Sequence, residues 1–360
     1  MKFYTSVLPY RGRLLVRGVD KDGTQKKYRI NYKPSLFVPV KKETKYKTLD
    51  GRYVEKIKFD SMPEATKWVN EYKHVTNFEY FGNTRHQYPF IAEEFEGKID
   101  WDMNQIKTLT IDIECESENG FPSPEKADQP LICITVKDHI SKKIIVFGMG
   151  NFVNNREDVQ YIDCVTETGL VETFTKFWVE YNPDIITGWN VKFFDIPYLM
   201  NRFRYLMGDD WLNQFSPWGV VEQRSAAVLF ASREQQVWNI MGVDTLDYLD
   251  LYRKFTFVRR ESYKLDYIGE VELGQNKLEN PYDTFKEFYS NDYQRFVEYN
   301  IQDVELVDKL EDKLQLIALH LTMAYEAKVN YQDVFGQVRI WDCIIYHHLR
   351  SKNIVPPAIQ

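Results

Sequence analysis

The chain has 360 residues, of which 44% are hydrophobic and 28% charged, with 17 glycines and 14 prolines. This composition is typical of a globular protein of two or three domains, and it excludes fibrous, collagen-like and wholly disordered classes. The first residues contain no apolar stretch of signal-peptide length, and no run approaches the roughly 18 apolar residues of a membrane span, so we expect a soluble, cytoplasmic protein. The four cysteines lie far apart, which argues against a disulfide framework and a structural zinc site.

The net charge of −7 hides an asymmetry along the chain. Residues 1–100 hold 20 Lys and Arg against 13 Asp and Glu, whereas residues 101–360 hold 26 against 40. The basic first part is either an ordinary solvated surface or a contact surface for phosphate. In the acidic second part, some carboxylates could be gathered for chemistry.

Short strand-like runs separated by turns dominate residues 1–100, with a helical pattern at 63–72. A strand is predicted at 106–114, so we place a domain boundary close to residue 101. Beyond it, strands alternate with helices, which is typical of an α/β or α+β layer architecture. The predicted elements are a hairpin of strands 132–136 and 143–147, a helix at 170–180, a buried strand at 184–190, a helix at 194–207, a hairpin at 228–239 and a long helix at 293–319.

A last helix is predicted within residues 331–354 from the spacing of its apolar residues. We expect one buried face, formed by Val334, Val338, Trp341, Ile345 and Leu349.

Two carboxylates, Asp112 and Glu114, share one face of the first strand after residue 101, because strand side chains alternate. The opposite face carries Leu109, Ile111 and Ile113. Adjacent like charges are costly unless a cation or a proton compensates them, and Mg²⁺ and Mn²⁺ take oxygen ligands of this kind. The alternative is a solvated strand edge with two surface acids.

The long helix at 293–319 supplies another acidic position, since Tyr299 and Asp303 are four residues apart and therefore stack on one face. The apolar residues around them predict burial, and a buried carboxylate needs a partner such as a metal ion. The alternative is an exposed Asp303 beside a core tyrosine.

Asp195 stands where a buried strand turns into the helix at 194–207, with Pro197 in the first helical turn. On structural grounds alone this position predicts an N-cap. N-capping and catalysis do not exclude each other.

These residues resemble a known family. In order and separation, Asp112 with Glu114, Asn190 with Asp195, and Tyr299 with Asp303 are similar to the three exonuclease motifs of the proofreading domain of family B DNA polymerases. The resemblance extends over essentially all 360 residues and is greatest to the polymerases of T-even-type bacteriophages. The segments that carry this narrower resemblance include Tyr32-Lys33-Pro34-Ser35-Leu36-Phe37, Gly120-Phe121-Pro122 and Leu249-Asp250-Leu251-Tyr252.

The resemblance implies an α/β (α+β) fold with two domains. Residues 101–330 would form an RNase H-like 3′→5′ exonuclease domain, with a mixed sheet flanked by helices. Residues 1–100 would form a smaller, basic, mixed α/β polymerase N-terminal domain, completed by a C-terminal helix at about 331–360. The D-x-x-S-L-Y-P-S and Y-x-D-T-D motifs of the palm do not occur, so we expect no polymerase active site here. Asp244 and Asp247 are interpreted as helix caps and helix-surface groups.

The resemblance also implies a reaction. It is the DEDDy-type hydrolysis of the 3′-terminal phosphodiester of single-stranded or frayed DNA, which releases deoxynucleoside monophosphates with the help of two divalent ions, Mg²⁺ or Mn²⁺. Asp112 would bridge both ions, Glu114 and Asp303 would complete one of them, and Asp195 would serve the other. Tyr299 would orient the attacking water.

Three residues are candidates for DNA binding by the same resemblance. Phe121 would stack on a base, Asn190 would hydrogen-bond the terminal nucleotide, and Lys264 would contact the scissile phosphate. For Lys264 alone, a place on a solvated face is the leading interpretation. The segment at 228–239 matches the position of a hairpin that, in the family, helps to move the primer end towards the nuclease site.

The implied partners are a primer 3′ end, a separate or missing palm, fingers and thumb portion, and RNA at the N-terminal domain, without a membrane. If a phage encodes the chain, the compartment is the host cytoplasm. The alternative function is a nucleic-acid-binding or polymerase-binding module, such as a split-polymerase subunit, with little turnover by itself. A calcium-holding or purely structural acidic cluster is a third possibility.

Overall fold

The computed structural model describes residues 1–118, 120–227, 234–275, 278 and 280–358. The chain divides into two compact units, one made of Met1–Gln105 with His320–Gln360 and the other of Ile106–Leu319. Both units mix strands with helices, so the predicted α/β class is confirmed. Within the described residues, no helix is both long enough and apolar enough to cross a lipid bilayer.

The N-terminal part of the first unit is mostly β-structure. Its elements are β1 (Phe3–Tyr10), β2 (Arg13–Val19), β3 (Gln25–Ile30), β4 (Ser35–Pro39), β5 (Tyr46–Thr48), β6 (Tyr53–Lys58), α1 (Met62–Tyr72) and α2 (Gln87–Glu94). Strands β1, β2 and β3 form an antiparallel sheet in that order. The Ser61 side chain accepts the Glu64 amide and caps α1 at the helical pattern predicted there.

The second unit is built on a six-stranded mixed sheet. The six strands are β7 (Thr108–Cys115), β8 (Leu131–Asp138), β9 (Ile144–Gly148), β10 (Val159–Asp163), β11 (Ile185–Thr187) and β14 (Asp244–Thr245), and β12 (Val221–Ala227) and β13 (Glu234–Ile240) form a separate two-stranded sheet in this unit. Its helices are α3 (Glu167–Tyr181), α4 (Asp195–Met207), α5 (Asp209–Leu212), α6 (Tyr248–Phe255), α7 (Leu265–Leu273), α8 (Phe285–Asn291) and α9 (Tyr293–Leu314). The strand order is β10-β9-β8-β7-β11-β14, in which β7, β8 and β9 pair antiparallel and the other pairs are parallel.

Helices cover both faces of this sheet, as expected for a mixed sheet flanked by helices. On one face, Leu109, Ile111 and Ile113 of β7 pack into a core with α3 and α4. On the other face, strand residues of β8 and β9 pack with α8 and α9 through Phe288, Phe296 and other apolar side chains. The alternation predicted for β7 therefore assigns its apolar residues to the first core and leaves its carboxylates on the side of α9.

The hairpin predicted at 228–239 has different bounds. Strands β12 and β13 form an antiparallel ladder in which Val221 faces Ile240 and Ala227 faces Glu234. The first strand therefore precedes the predicted segment. Residues 228–233 lie outside the described part of the chain.

The chain returns to the first unit through α10 (Leu316–Ala327), α11 (Gln337–Ser351) and β15 (Ile354–Val355). Strand β15 pairs parallel with β5 and completes a sheet of order β15-β5-β6-β4. The single helix predicted at 293–319 is wrong, because Gln315 adopts a left-handed conformation between α9 and α10. The Glu311 carboxylate accepts the backbone amides of Ile317 and Ala318, which satisfies the start of the next helix.

The buried face predicted for the last helix is also wrong. Val338, Trp341 and Ile345 are 75%, 63% and 52% exposed, and α11 buries Ile340 and Cys343 instead. The 3₁₀ turn at Tyr331–Phe335 ends before α11 begins at Gln337, so Val334 is out of phase with the helix that follows. Val334 and Leu349 are buried as predicted.

Candidate active site

A cavity of about 950 Å³ in the second unit holds the candidate site. All eight residues singled out from the sequence line it, namely Asp112, Glu114, Phe121, Asn190, Asp195, Lys264, Tyr299 and Asp303. The cavity wall also includes Trp189, Phe194, Leu278 and Phe285. The cavity wall therefore combines several acidic side chains with aromatic side chains.

Three of the acids form a compact cluster. Asp112, Glu114 and Asp303 each offer a carboxylate oxygen, and these oxygens lie within 4.8 Å of one another. Asp112 and Glu114 point from β7 towards α9 and are half-buried, whereas Asp303 on α9 is only 4% exposed. The alternative of an exposed Asp303 is therefore wrong. An all-carboxylate donor set of this size fits hard divalent cations such as Mg²⁺ and Mn²⁺.

The fourth acid reaches the site because β11 is short. Strand β11 pairs with β7 only as far as Thr187 opposite Thr110, and the edge of β7 continues beyond it. There the Asp195 carboxylate accepts the backbone amide of Ile113 at 3.2 Å. The predicted N-cap is wrong: Phe194 occupies the cap position, and Asp195 is the first residue of α4. Its carboxylate binds the neighbouring strand.

Glycine is required where β11 ends. A Cβ atom on Gly188 would lie 2.4 Å from the carbonyl oxygen of Ile111 and 2.4 Å from a methyl group of Val191. These distances are shorter than any ordinary contact, so the turn can approach β7 only because the side chain is missing. The close approach brings Asn190 and Asp195 to the same end of β7 as Asp112.

The electrostatics of the cluster favour a cation. Asp195 is buried, and desolvation raises the pKa of its carboxyl, with further upward contributions from the charges of Asp247 and Asp303. The hydrogen bond from Ile113 opposes this shift of the pKa. Buried acids that repel one another are stabilised by a proton or by a positive ion, so the residues present fit divalent metal binding.

Asp247 organises the turn that carries Asn190. Its buried carboxylate accepts backbone amides from Asn190 and Lys192 at 3.0 Å each and from Leu249 at 2.9 Å. The interpretation of Asp247 as a helix cap is confirmed, because it caps α6. Its interpretation as a surface group is wrong, since it is 1% exposed.

Aromatic side chains surround the acids. The Tyr299 ring lies edge-on to Phe288 at 6.0 Å and to Phe285 at 6.5 Å between ring centroids. Phe121 is 86% exposed, and its ring lies 5.4 Å from that of Phe194. Large exposed aromatic surface at a cavity mouth suits stacking against a planar ligand.

Asn300 is a further residue at the site that was not predicted from the sequence. This residue is fully buried on α9, and its side-chain amide donates to the Asp112 carboxylate at 2.5 Å. The spacing could have identified it, because Asn300 precedes Asp303 by three residues and therefore lies on the same helical face.

Comparison with known proteins agrees with the fold. The family model of the exonuclease domain of DNA polymerase family B matches residues 67–268, more than half of the chain. The fold and the acidic cavity thus define a polymerase-type nuclease domain, and the chain belongs to the family B DNA polymerases through this exonuclease domain. The RNase H-like fold expected for residues 101–330 is consistent with this membership.

Individual relatives extend the match along the whole chain. The chain is 31% identical to the DNA-directed DNA polymerase of Escherichia phage RB69 and 29% identical to that of Enterobacteria phage T4, over 99% of its own length in both cases. It is 30% identical to the DNA polymerase delta catalytic subunit of Caenorhabditis elegans over 71% of its length. The chain spans 42% of the length of the two phage proteins and 24% of the nematode protein.

Proposed function

We propose that this chain is a DEDDy-type 3′→5′ exonuclease that removes nucleotides from the 3′ end of single-stranded or frayed DNA. Its products are deoxynucleoside monophosphates, and its place is the proofreading part of a family B polymerase. The observation that carries the proposal is that one cavity brings together Asp112, Glu114, Asp195 and Asp303 with Tyr299 and exposed aromatic surface. Membership of the family agrees with it.

Each acid has a position suited to metal binding. Asp112, Glu114 and Asp303 would hold one divalent ion, and Asp112 would share a second ion with Asp195, which serves it directly or through water. Two bound Mg²⁺ or Mn²⁺ ions supply an activated water and charge stabilisation at the leaving 3′ oxygen. The Tyr299 hydroxyl would orient the attacking water, and the Tyr299 ring is held by the aromatic packing described above.

The remaining candidates bind the DNA strand. The exposed Phe121 ring stacks on a base, an interaction worth about 1–3 kcal/mol per base in single-strand binding. Asn190 hydrogen-bonds the terminal nucleotide from the turn that Asp247 holds. Lys264 is exposed at the start of α7 and contacts the scissile phosphate from the cavity wall.

The test compares the chain with its Asp112→Ala/Glu114→Ala variant on single strands labelled at the 3′ or the 5′ end. We expect rapid mononucleotide release from the 3′ end with Mg²⁺ or Mn²⁺, none with chelator, and none from the variant. Circular dichroism and thermal unfolding establish that the variant remains folded. Unchanged digestion by the variant would contradict the assignment of Asp112 and Glu114 to the nuclease site.

A matched control shows whether the effect is specific to Asp112 and Glu114 or follows from the loss of any two carboxylates. Asp209 and Asp210 are adjacent exposed carboxylates on α5 in the same unit. The Asp209→Ala/Asp210→Ala variant changes the net charge by the same amount. It should digest DNA at the unaltered rate.

A second candidate is a binding module with little turnover by itself. The observation in its favour is the apolar exposed surface of α11, where Val338, Trp341 and Ile345 would suit docking to a polymerase portion. The basic charge of residues 1–100 adds a surface for template or RNA. Salt-dependent RNA or DNA binding that survives loss of Asp112 and Glu114, without mononucleotide release by the unaltered chain, would favour this function.

A further inference from the structure

Asn300 contacts the acidic cluster without belonging to the cavity wall. It is 0% exposed, and its Nδ2 atom donates to Oδ2 of Asp112 at 2.5 Å. Asn300 is not among the residues that line the cavity, whereas its neighbours Tyr299 and Asp303 are. Its side chain therefore meets the cluster from the protein interior and not from the cavity.

A second hydrogen bond fixes the orientation of this amide. The Cys133 thiol on β8 donates to Oδ1 of Asn300 at 3.5 Å. Complete burial raises the pKa of the Cys133 thiol well above its usual value, so the sulfur keeps the proton that it donates. Because the thiol proton occupies Oδ1, the NH₂ group is turned towards Asp112.

The sheet register brings these groups together. Cys133 faces Glu114 across the antiparallel β7 and β8 pair, on the sheet face that packs against α9. A chain of hydrogen bonds thus runs from Cys133 through Asn300 to Asp112, beside a cluster whose oxygens lie within 4.8 Å of one another.

A carboxylate that accepts a hydrogen bond at one oxygen can no longer rotate freely about its Cβ–Cγ bond. The direction of its other oxygen is then set as well. Asp112 is the acid to which the proposed function assigns contact with both ions, so a rotation of its carboxylate would disturb both. Partners that orient metal-ligating carboxylates typically contribute 10–100-fold in metal affinity or activity.

We propose that Asn300 is a positioning residue, whose buried amide, oriented by Cys133, holds the Asp112 carboxylate in the geometry required for metal-dependent hydrolysis. This inference rests on the proposed exonuclease function. It assigns Asn300 no contact with substrate.

The first test replaces Asn300 by leucine, which keeps a similar volume and removes both hydrogen bonds. Two quantities are measured: the Mg²⁺ concentration that gives half-maximal mononucleotide release, and Mn²⁺ binding by electron paramagnetic resonance without DNA. We expect Asn300→Leu to need about tenfold more Mg²⁺ and to bind Mn²⁺ about tenfold more weakly. The KM for DNA should not change, because Asn300 lies behind the cluster.

A control variant shows how the loss of a buried, hydrogen-bonded asparagine outside the cavity affects stability and metal binding. Asn330 in the first unit is buried, accepts the Val7 amide at 2.8 Å and donates to the Val7 carbonyl at 2.9 Å. Asn330→Leu should lower stability and leave both metal measurements unchanged. Wild-type metal response in folded Asn300→Leu would overturn the inference.

A second pair of variants decides the matter if Asn300→Leu does not fold. Cys133→Ala removes the donor to Asn300, whereas Cys133→Ser keeps a hydroxyl donor of similar size. A weakened metal response in the alanine variant that serine restores supports the relay, and equal responses in the two variants overturn it. The Mn²⁺ measurement needs no nuclease activity, so failure of the exonuclease proposal and failure of this inference give different results.

Discussion

Replacing Gly188 by alanine should damage both the fold and the nuclease site. The added Cβ would lie 2.4 Å from the Ile111 carbonyl oxygen, whereas ordinary van der Waals contact begins at 3.4 Å. The turn or β7 must therefore move by about 1 Å. Overpacking of this kind costs about 1–3 kcal/mol in the free energy of unfolding. Because Asp112 follows Ile111, the same movement should displace a metal ligand and reduce turnover by about 10²-fold.

Urea unfolding measures the first effect, and mononucleotide release at saturating DNA measures the second. Gly208→Ala is the matched control. Both glycines have a positive φ, of 153° at Gly188 and 87° at Gly208, but a Cβ on Gly208 would meet no atom within 4 Å. This control retains the backbone strain and lacks the clash. The reasoning is refuted if Gly188→Ala is no less stable than Gly208→Ala and turns over DNA at the same rate.

Two further changes test the packing of each unit. Arg202 on α4 forms a two-pronged ion pair with Glu167 at 2.7 Å for both contacts, with 6% and 15% of the two side chains exposed. Arg202→Met should lower the free energy of unfolding by about 3–5 kcal/mol, because the largely buried Glu167 carboxylate loses its counter-charge and keeps the Leu131 amide as its hydrogen-bond partner. A loss below about 1 kcal/mol in urea unfolding contradicts this. In the first unit, burial lowers the pKa of His86 to about 4, whereas the unfolded value is about 6.5. The unfolded chain binds the extra proton between these values, so stability falls as the pH drops from 6.5 to 4, by up to about 3 kcal/mol for this residue. Unfolding measured across that range should show a smaller pH slope for His86→Phe than for the wild type, and equal slopes contradict the assignment.

The pattern of apolar and polar residues predicted the structure correctly where one periodicity dominates a segment. The alternation in β7 separated Leu109, Ile111 and Ile113 from the two carboxylates, and these apolar residues do enter one core. The same reasoning failed for α11, because helical spacing identifies an apolar stripe without showing which neighbour covers it. The break at Gln315 was also missed, since a left-handed residue interrupts the backbone without interrupting the hydrophobic pattern.

The types, order and spacing of the acids can be read from the sequence, and they were enough to predict the family resemblance and the kind of chemistry. How the site residues are held depends on tertiary packing. A strand amide binds Asp195, Asp247 binds the turn that carries Asn190, and Asn300 binds Asp112. These contacts could not be predicted because their partners lie far apart along the chain. Asp112 and Asn300 are separated by 188 positions, and no local periodicity reports a hydrogen bond that forms only when β7 and α9 pack together.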